Sequence, residues 1–223
     1  METWDDSSIL NWAIIGRLFQ QYIDFEPGYI GGGLKYYSIH KWMAEREQAY
    51  SSFSPHFEQD NLENVEAVSQ AYRCWLRASN NKSWTNMQRV GVRALDQPEK
   101  LCKLLSFIQQ ETVPIKERIQ GGLAGEYYVY GIGKGILTGF LHTIYPEKYG
   151  VWNGSTVKAF KKLDIYIPLM YSIKQGRAYL RVNTVLNNMA SYLETNLTFV
   201  DGFMWYVATR ARFKDEKRGN SSG

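Results

Sequence analysis

Residues 129–158, with the sequence VYGIGKGILTGFLHTIYPEKYGVWNGSTVK, determine the fold that we predict for this chain. Gly131 and Gly133 are two residues apart with the apolar Ile132 between them, and a run with helical periodicity follows at once. A glycine-x-glycine turn at the start of a helix exposes backbone N–H groups beside the positive end of the helix dipole. The pattern therefore predicts a helix, a tight turn and a second helix, with an anion-binding site at the turn.

Two other kinds of glycine-rich phosphate loop do not fit this segment. A Walker A loop needs Gly five residues before its Gly-Lys pair and Ser or Thr directly after the pair, but Tyr128 and Gly135 occupy those positions. A dinucleotide-binding fingerprint needs its third glycine where Ile136 stands, and it follows a strand, whereas the residues before Gly131 have a helical pattern. The remaining interpretation is a helix-hairpin-helix.

The same residues resemble the helix-hairpin-helix DNA glycosylases, the superfamily of the endonuclease III and adenine glycosylase families. Those proteins read Leu-Pro-Gly-Val-Gly, then an apolar helix, then a short loop ending in Val/Leu-Asp-x-x-Val. Val129–Gly133 corresponds to the hairpin, and Trp152–Gly154 corresponds to the loop that carries the family's catalytic aspartate. Asn153 follows Gly133 by 20 residues, the spacing that the resemblance expects.

The resemblance implies a protein that binds duplex DNA, flips out a damaged or modified base and cleaves its N-glycosidic bond. Asn153 stands where the family has its aspartate, and an amide cannot act as an anion or a general base. Gly135 stands where members with lyase activity keep a Schiff-base lysine, so the resemblance implies monofunctional cleavage that leaves an abasic site. The alternative is a catalytically inactive module that only recognises DNA or modified bases. A helical adaptor without a nucleic-acid role is a third alternative.

Two residues are candidates for a catalytic role under this resemblance. Asn153 would orient a water or the sugar, but Asn-Gly is also a favourable turn and Asn a favourable N-cap, and the sequence leaves these interpretations level. Glu126 is the nearest carboxylate in sequence that could substitute, although a solvated helix residue is the simpler interpretation. The DNA-binding residues that we predict are Gly131, Ile132, Gly133, Lys134, Gly135, Lys158, Lys161, Lys162 and Arg177.

Aromatic residues number 33, and most of them fall at the spacing of a helical core. Enzymes that extrude a base stack it in a pocket lined by aromatic or apolar side chains. His142, beside Leu141 and Ile144, is predicted to be a hydrogen-bonded core or boundary histidine, and no metal-ligand spacing is present. The candidates for a base pocket are Trp84, Tyr36, Tyr37 and Trp152.

The net charge of +4 is unevenly distributed along the chain. Residues 1–110 have a net charge of −2, whereas residues 111–223 have a net charge of +6. Eight basic residues stand against two acidic ones within 134–181, around and after the hairpin. Charge alone leaves two interpretations open, an anionic partner and an ordinary solvated surface.

The hydrophobic period is helical along the whole chain, which predicts an all-α protein of about nine or ten helices. We predict one domain over 1–213, with the hairpin and active-site loop within 115–163 and a frayed tail over 214–223. Two interleaved lobes around a cleft are the alternative arrangement of this domain. The predicted helices cover about 9–23, 35–52, 62–78, 97–110, 114–123, 134–145, 155–163, 175–195 and 199–212.

Composition predicts a soluble, intracellular (cytoplasmic) protein, and we expect it to act as a monomer. Apolar residues make up 44% and charged residues 22%, and no apolar run reaches the roughly eighteen residues that a membrane span needs. The acidic start, with Asp5 and Asp6, differs from a signal peptide. Cys74 and Cys102 form no CxxC motif, and the cysteine quartet of an iron–sulfur cluster is missing. We therefore expect no cofactor and no metal cluster.

Overall fold

The computed structural model describes residues 10–25, 38–81, 87–168 and 174–211, with the side chains of 79–81 and 87–88 outside the description. Ten α-helices and no β-strand make up this described part, which confirms the all-α prediction. In chain order they are α1 (Trp12–Ile23), α2 (Ile39–Phe53), α3 (Val65–Asn81), α4 (Met87–Gly91), α5 (Pro98–Gln109), α6 (Ile115–Ala124), α7 (Lys134–Ile144), α8 (Gly154–Lys162), α9 (Gln175–Tyr192) and α10 (Leu197–Thr209).

Each of the nine predicted helices has a counterpart whose ends agree within four residues, whereas the short α4 was not predicted. Asparagine side chains set several of the starts, because their oxygens accept bonds from first-turn amides. Asn11 does so for α1, Asn64 for α3 and Asn196 for α10. The cap at Asn196, which accepts bonds from the amides of Thr198 and Phe199, explains why α10 begins two residues before the predicted start.

Helix α7, which directly follows the hairpin, is the central helix of the core. Every residue from Ile136 to Thr143 is buried. The ring of Phe140 lies edge-on to the ring of Phe57, and Trp75 donates its indole N–H to Thr143 Oγ1 at 2.9 Å. Helix α7 is surrounded by other helices, and only its two ends, at Lys134 and Gly135 and at Ile144, are partly exposed.

Two pairs of helices place the segments on either side of the hairpin. Helix α6 packs along α9, and α8 packs along α10. The α6–α9 contact is close enough to require glycine, because a Cβ at Gly176 would lie 1.8 Å from the Lys116 carbonyl oxygen. As a result, the start of α9 lies beside the hairpin, and the loop before α8 lies against α10. None of the helices in the described ranges combines the length and the apolar character needed to cross a bilayer.

Candidate nucleic-acid interface

The hairpin turn is fixed by Gly131, which has a φ of +97°. A Cβ atom there would lie 2.8 Å from the carbonyl oxygen of Val90 and 3.1 Å from the amide nitrogen of Ala94. The turn is therefore packed tightly against α4 and the segment that follows it, and only glycine fits both the space and the left-handed backbone. Ile132 is buried, while Gly133 is exposed with an extended backbone and nothing within 4 Å of its missing Cβ.

The N-terminus of α7 is open. Gly133 is its N-cap and, within the described part of the chain, no side chain accepts a hydrogen bond from the first-turn amides. The Gly133 carbonyl accepts from Ile136 and Leu137, which leaves the amides of Lys134 and Gly135 facing outward from the helix end. This is the arrangement that the glycine spacing predicts.

Lys134 is half-buried at this open end. Its Nζ atom lies 4.3 Å from the centroid of the Trp152 ring, and burial lowers the pKa of its ammonium. Among the described residues, no carboxylate forms an ion pair with it. A partly desolvated cation beside unpaired amides favours a negatively charged ligand.

Asn153 is the N-cap of α8. Its Oδ1 atom accepts hydrogen bonds from the amides of Ser155, at 2.8 Å, and Thr156, at 3.0 Å, while Thr156 Oγ1 accepts from the Asn153 amide. This capping box satisfies the first turn of α8. Of the two interpretations that the sequence left level, the structure confirms the cap; a chemical role for Asn153 stays a prediction.

Asn153 also contacts a buried ion pair that the sequence did not reveal. Its Nδ2 atom donates to Asp201 Oδ1, on α10, at 3.4 Å, and Asp201 Oδ2 pairs with the guanidinium of Arg46, on α2. Arg46 is 1% exposed and Asp201 is 7% exposed, and Arg46 also donates to Tyr50 Oη at 2.9 Å. The sequence did contain a signal for such an ion pair. Asp201 is the one charged residue in α10, and a lone charge on an apolar helix predicts a buried partner.

Gly135 faces Asn153 directly. A Cβ atom at Gly135 would lie 3.4 Å from Asn153 Cβ, which is ordinary van der Waals contact. Gly135 and Asn153 are the two positions that depart from the pattern of the glycosylases that the chain resembles. They are therefore neighbours in space.

Trp152, a candidate for the base pocket, packs in the core instead. Its side chain is fully buried, its ring stacks on that of Tyr179 with centroids 6.3 Å apart, and its backbone amide donates to Thr138 Oγ1. No face of the ring is exposed to receive a base, because Lys134 and Tyr179 occupy its surroundings. The other candidates, Trp84, Tyr36 and Tyr37, and the 214–223 tail lie outside the described residues.

The remaining residues that were predicted to be catalytic or to bind DNA lie on different elements of the structure. Glu126 is exposed in the turn after α6, not on a helix. Lys158, Lys161 and Arg177 are exposed on α8 and α9. Lys162 is exposed as well, but its ammonium donates to the Val207 carbonyl at 3.0 Å, near the C-terminal end of α10, where a positive charge interacts favourably with the helix dipole.

A cavity of about 480 Å³ opens beside the hairpin. The hairpin backbone and Lys134 line one side of it, and Gln175 at the start of α9 lines another. Tyr128 and Tyr130, which are not among the predicted site residues, also line it. The start of α9, where Arg177 is exposed, therefore borders the same cavity as the hairpin.

His142 is a buried, hydrogen-bonded core histidine, as predicted. Its Nδ1 atom lies 2.8 Å from the Tyr149 carbonyl oxygen and its Nε2 atom 3.3 Å from Thr198 Oγ1. Burial lowers the pKa of His142 to about 4, against a partial opposing effect of the Asp201 carboxylate. The ring is therefore neutral at physiological pH.

Within the described ranges, no group of three or more His, Cys, Asp or Glu residues is placed to hold a metal ion. Comparison of the chain with protein-family models, with curated proteins and with solved structures gave no match.

Proposed function

We propose that this protein binds DNA through the hairpin at Gly131–Gly133 and the open end of α7. The observation that carries the proposal is the contrast between two neighbouring helix ends. The α8 end is closed by the Asn153 capping box, whereas the α7 end has no side-chain cap in the described structure and has the half-buried Lys134 beside it. A phosphate oxygen would accept hydrogen bonds from the α7 amides, and Lys134 would supply the opposite charge.

The surrounding cations support the same partner. Lys158, Lys161 and Arg177 are exposed on α8 and α9, in the half of the chain that carries a net charge of +6. Contacts between such cations and phosphate groups orient a protein on the DNA backbone but do not recognise the base sequence. Each neutralised phosphate releases counterions, so binding should weaken steeply as salt rises.

The test is fluorescence anisotropy with a labelled duplex over a salt series, comparing Lys134→Met with Lys103→Met. Methionine keeps an apolar stem against Trp152 while it removes the charge. We expect Lys134→Met to weaken binding several-fold and to reduce the salt slope by about one contact, a slope change of roughly 0.9. Lys103, exposed on α5, is the charge-matched control and should change little. Equal effects of both variants, or binding that ignores salt, would contradict the proposal.

A second candidate function is N-glycosidic cleavage, which the Asn153–Asp201 contact favours. Cleavage passes through a positively charged, oxocarbenium-like sugar, which a nearby carboxylate stabilises. Asn153 cannot supply that charge, but Asp201 is a carboxylate in hydrogen-bond contact with it. Because Asn153 Oδ1 caps α8 and Asp201 pairs with Arg46, the geometry favours the DNA-binding module over the enzyme.

An incision assay over duplexes with damaged or modified bases separates the two functions. An abasic product that disappears in both Asn153→Ala and Asp201→Asn would establish the enzyme, and the absence of a lysine at Gly135 predicts no adduct on borohydride trapping. Salt-sensitive binding without an abasic product from any duplex would establish the module.

A further inference from the structure

The surface beside the hairpin has an unusual concentration of exposed apolar side chains. Four of the seven large apolar residues that are exposed in the described structure belong to two segments packed against each other at the hairpin. Tyr128 is 47% exposed and Tyr130 is 53% exposed, and Val90 and Val92 lie in the segment that Gly131 contacts. Such clustering on a surface marks an interaction site.

This cluster is bordered by cations. Arg93 donates from Nη1 to Tyr130 Oη at 2.6 Å, and its guanidinium carbon lies 5.4 Å from the centroid of the Tyr130 ring. Neither Arg93 nor Lys134 forms an ion pair with another described residue. Glu126 is the exposed carboxylate in the same loop.

The combination of exposed rings and unpaired cations identifies the class of partner. An apolar protein partner would leave both cations desolvated without a counter-charge, at a free-energy cost. A nucleotide matches both features, because its phosphate pairs with the cations and its base stacks on the rings. The cavity of about 480 Å³ falls within the size range of sites that hold a small ligand.

We propose that Tyr128 and Tyr130, with Arg93, form a stacking platform for an unpaired DNA base next to the phosphate held by the hairpin. The faces of paired bases are covered by their neighbours in a duplex, so only an unpaired base can stack on these rings. The platform therefore gives a preference for DNA that has a gap or a single-stranded extension beside the hairpin contact. This inference rests on the proposed DNA binding.

The experiment compares three probes of one sequence: a full duplex, the same duplex with a gap of a few nucleotides, and the single strand. We expect the wild-type protein to bind the gapped probe at least about fivefold more tightly than the duplex, because stacking on an aromatic side chain has about that effect per base or more. A 2-aminopurine placed in the gap should lose fluorescence on binding, which reports stacking directly.

Conservative variants test the platform without disturbing the core. Tyr128→Leu and Tyr130→Leu should abolish the preference for the gap, because they weaken gap binding more than duplex binding. Tyr130→Phe, which keeps the ring but loses the bond to Arg93, should retain most of that preference. Tyr166→Leu is the matched control, because Tyr166 is 75% exposed elsewhere on the surface. Circular dichroism confirms that each variant is folded.

Three results would overturn the inference: equal wild-type affinity for gapped and full duplex, unchanged 2-aminopurine fluorescence, or leucine variants that weaken duplex binding as much as gap binding. Failure of the proposed DNA binding gives a different result. In that case all three probes bind without dependence on salt or on Lys134, or none binds.

Discussion

Asn153 and Asp201 are joined by a side-chain hydrogen bond across the contact between α8 and α10. Asn153 Nδ2 lies 3.4 Å from Asp201 Oδ1, and the other oxygen of Asp201 is paired with Arg46. The amide at position 153 therefore has two functions that a carboxylate could not combine, since it caps a helix with its oxygen and donates to a buried carboxylate with its nitrogen. This relationship gives a structural reason for asparagine where the resemblance expects aspartate.

Asn153→Asp should destabilise the protein. Aspartate is as good an N-cap as asparagine, but its second oxygen would face Asp201 without a donor between them. We expect the free energy of unfolding to fall by about 1–3 kcal/mol, measured by urea denaturation. Asn11→Asp, at the exposed cap of α1, is the control and should be neutral or slightly stabilising. An Asn153→Asp protein as stable as the wild type would show that the contact with Asp201 does not contribute to the free energy of unfolding.

Replacing Gly131 or Gly133 with alanine should have different effects on stability and on DNA affinity. Gly131→Ala introduces a Cβ 2.8 Å from the Val90 carbonyl at a φ of +97°, so we expect a loss of stability of about 1–3 kcal/mol. Gly133→Ala meets nothing within 4 Å and should leave the melting temperature nearly unchanged. Its methyl group would stand at the open end of α7, so DNA affinity should fall. Gly133→Ala with full DNA affinity would place the phosphate elsewhere.

His142 should make stability dependent on pH. The folded protein keeps the ring neutral down to about pH 4, whereas the unfolded chain takes up a proton below about pH 6.5. Stability should therefore fall as the pH drops from about 6.5 towards 4, by an amount on the order of 3 kcal/mol from this residue.

Urea denaturation between pH 7.5 and pH 4.5 isolates this contribution. His142→Gln should have a shallower dependence on pH than the wild type, whatever its absolute stability. His56→Gln, at an exposed position, should keep the wild-type slope. Identical slopes for all three proteins would mean that His142 titrates normally in the fold.

Lys161 and Lys162 are both predicted to bind DNA, but replacing one should affect DNA binding and replacing the other should affect stability. Lys162→Met removes the donor to the Val207 carbonyl and should lower the free energy of unfolding by roughly 1 kcal/mol. Lys161→Met should leave stability unchanged and weaken DNA binding slightly at low salt. Denaturation and anisotropy on the same two preparations provide the comparison, and a reversed pattern would assign the DNA contact to Lys162.

Glu126→Gln distinguishes a catalytic carboxylate from a solvated one. As an exposed acidic residue near the hairpin, Glu126 repels phosphate over about a Debye length, so the variant should bind DNA about twofold more tightly at low salt. Glu99→Gln, exposed on α5, is the control. Loss of an abasic product in Glu126→Gln with unchanged binding would instead establish a catalytic role.

The helices and the turn at Gly131 could be predicted from the order of residues along the chain. Helical periodicity depends on side chains three and four residues apart, and the start of α5 at Pro98 and the turn at Gly131 depend on the backbone limits of single residues. These are local properties, so they can be derived from neighbouring residues alone. They were sufficient to place the open N-terminal end of α7.

The partners of the side chains around the hairpin could not be predicted in this way, because they come from distant parts of the chain. Arg46 and Asp201 are 155 residues apart in sequence, and Lys162 and Val207 are 45 apart. Trp152 became a core residue because α7 and α9 close over it. Each of these outcomes depends on which helix faces packed together, and the energy of burying a charge or a ring is set by those distant neighbours.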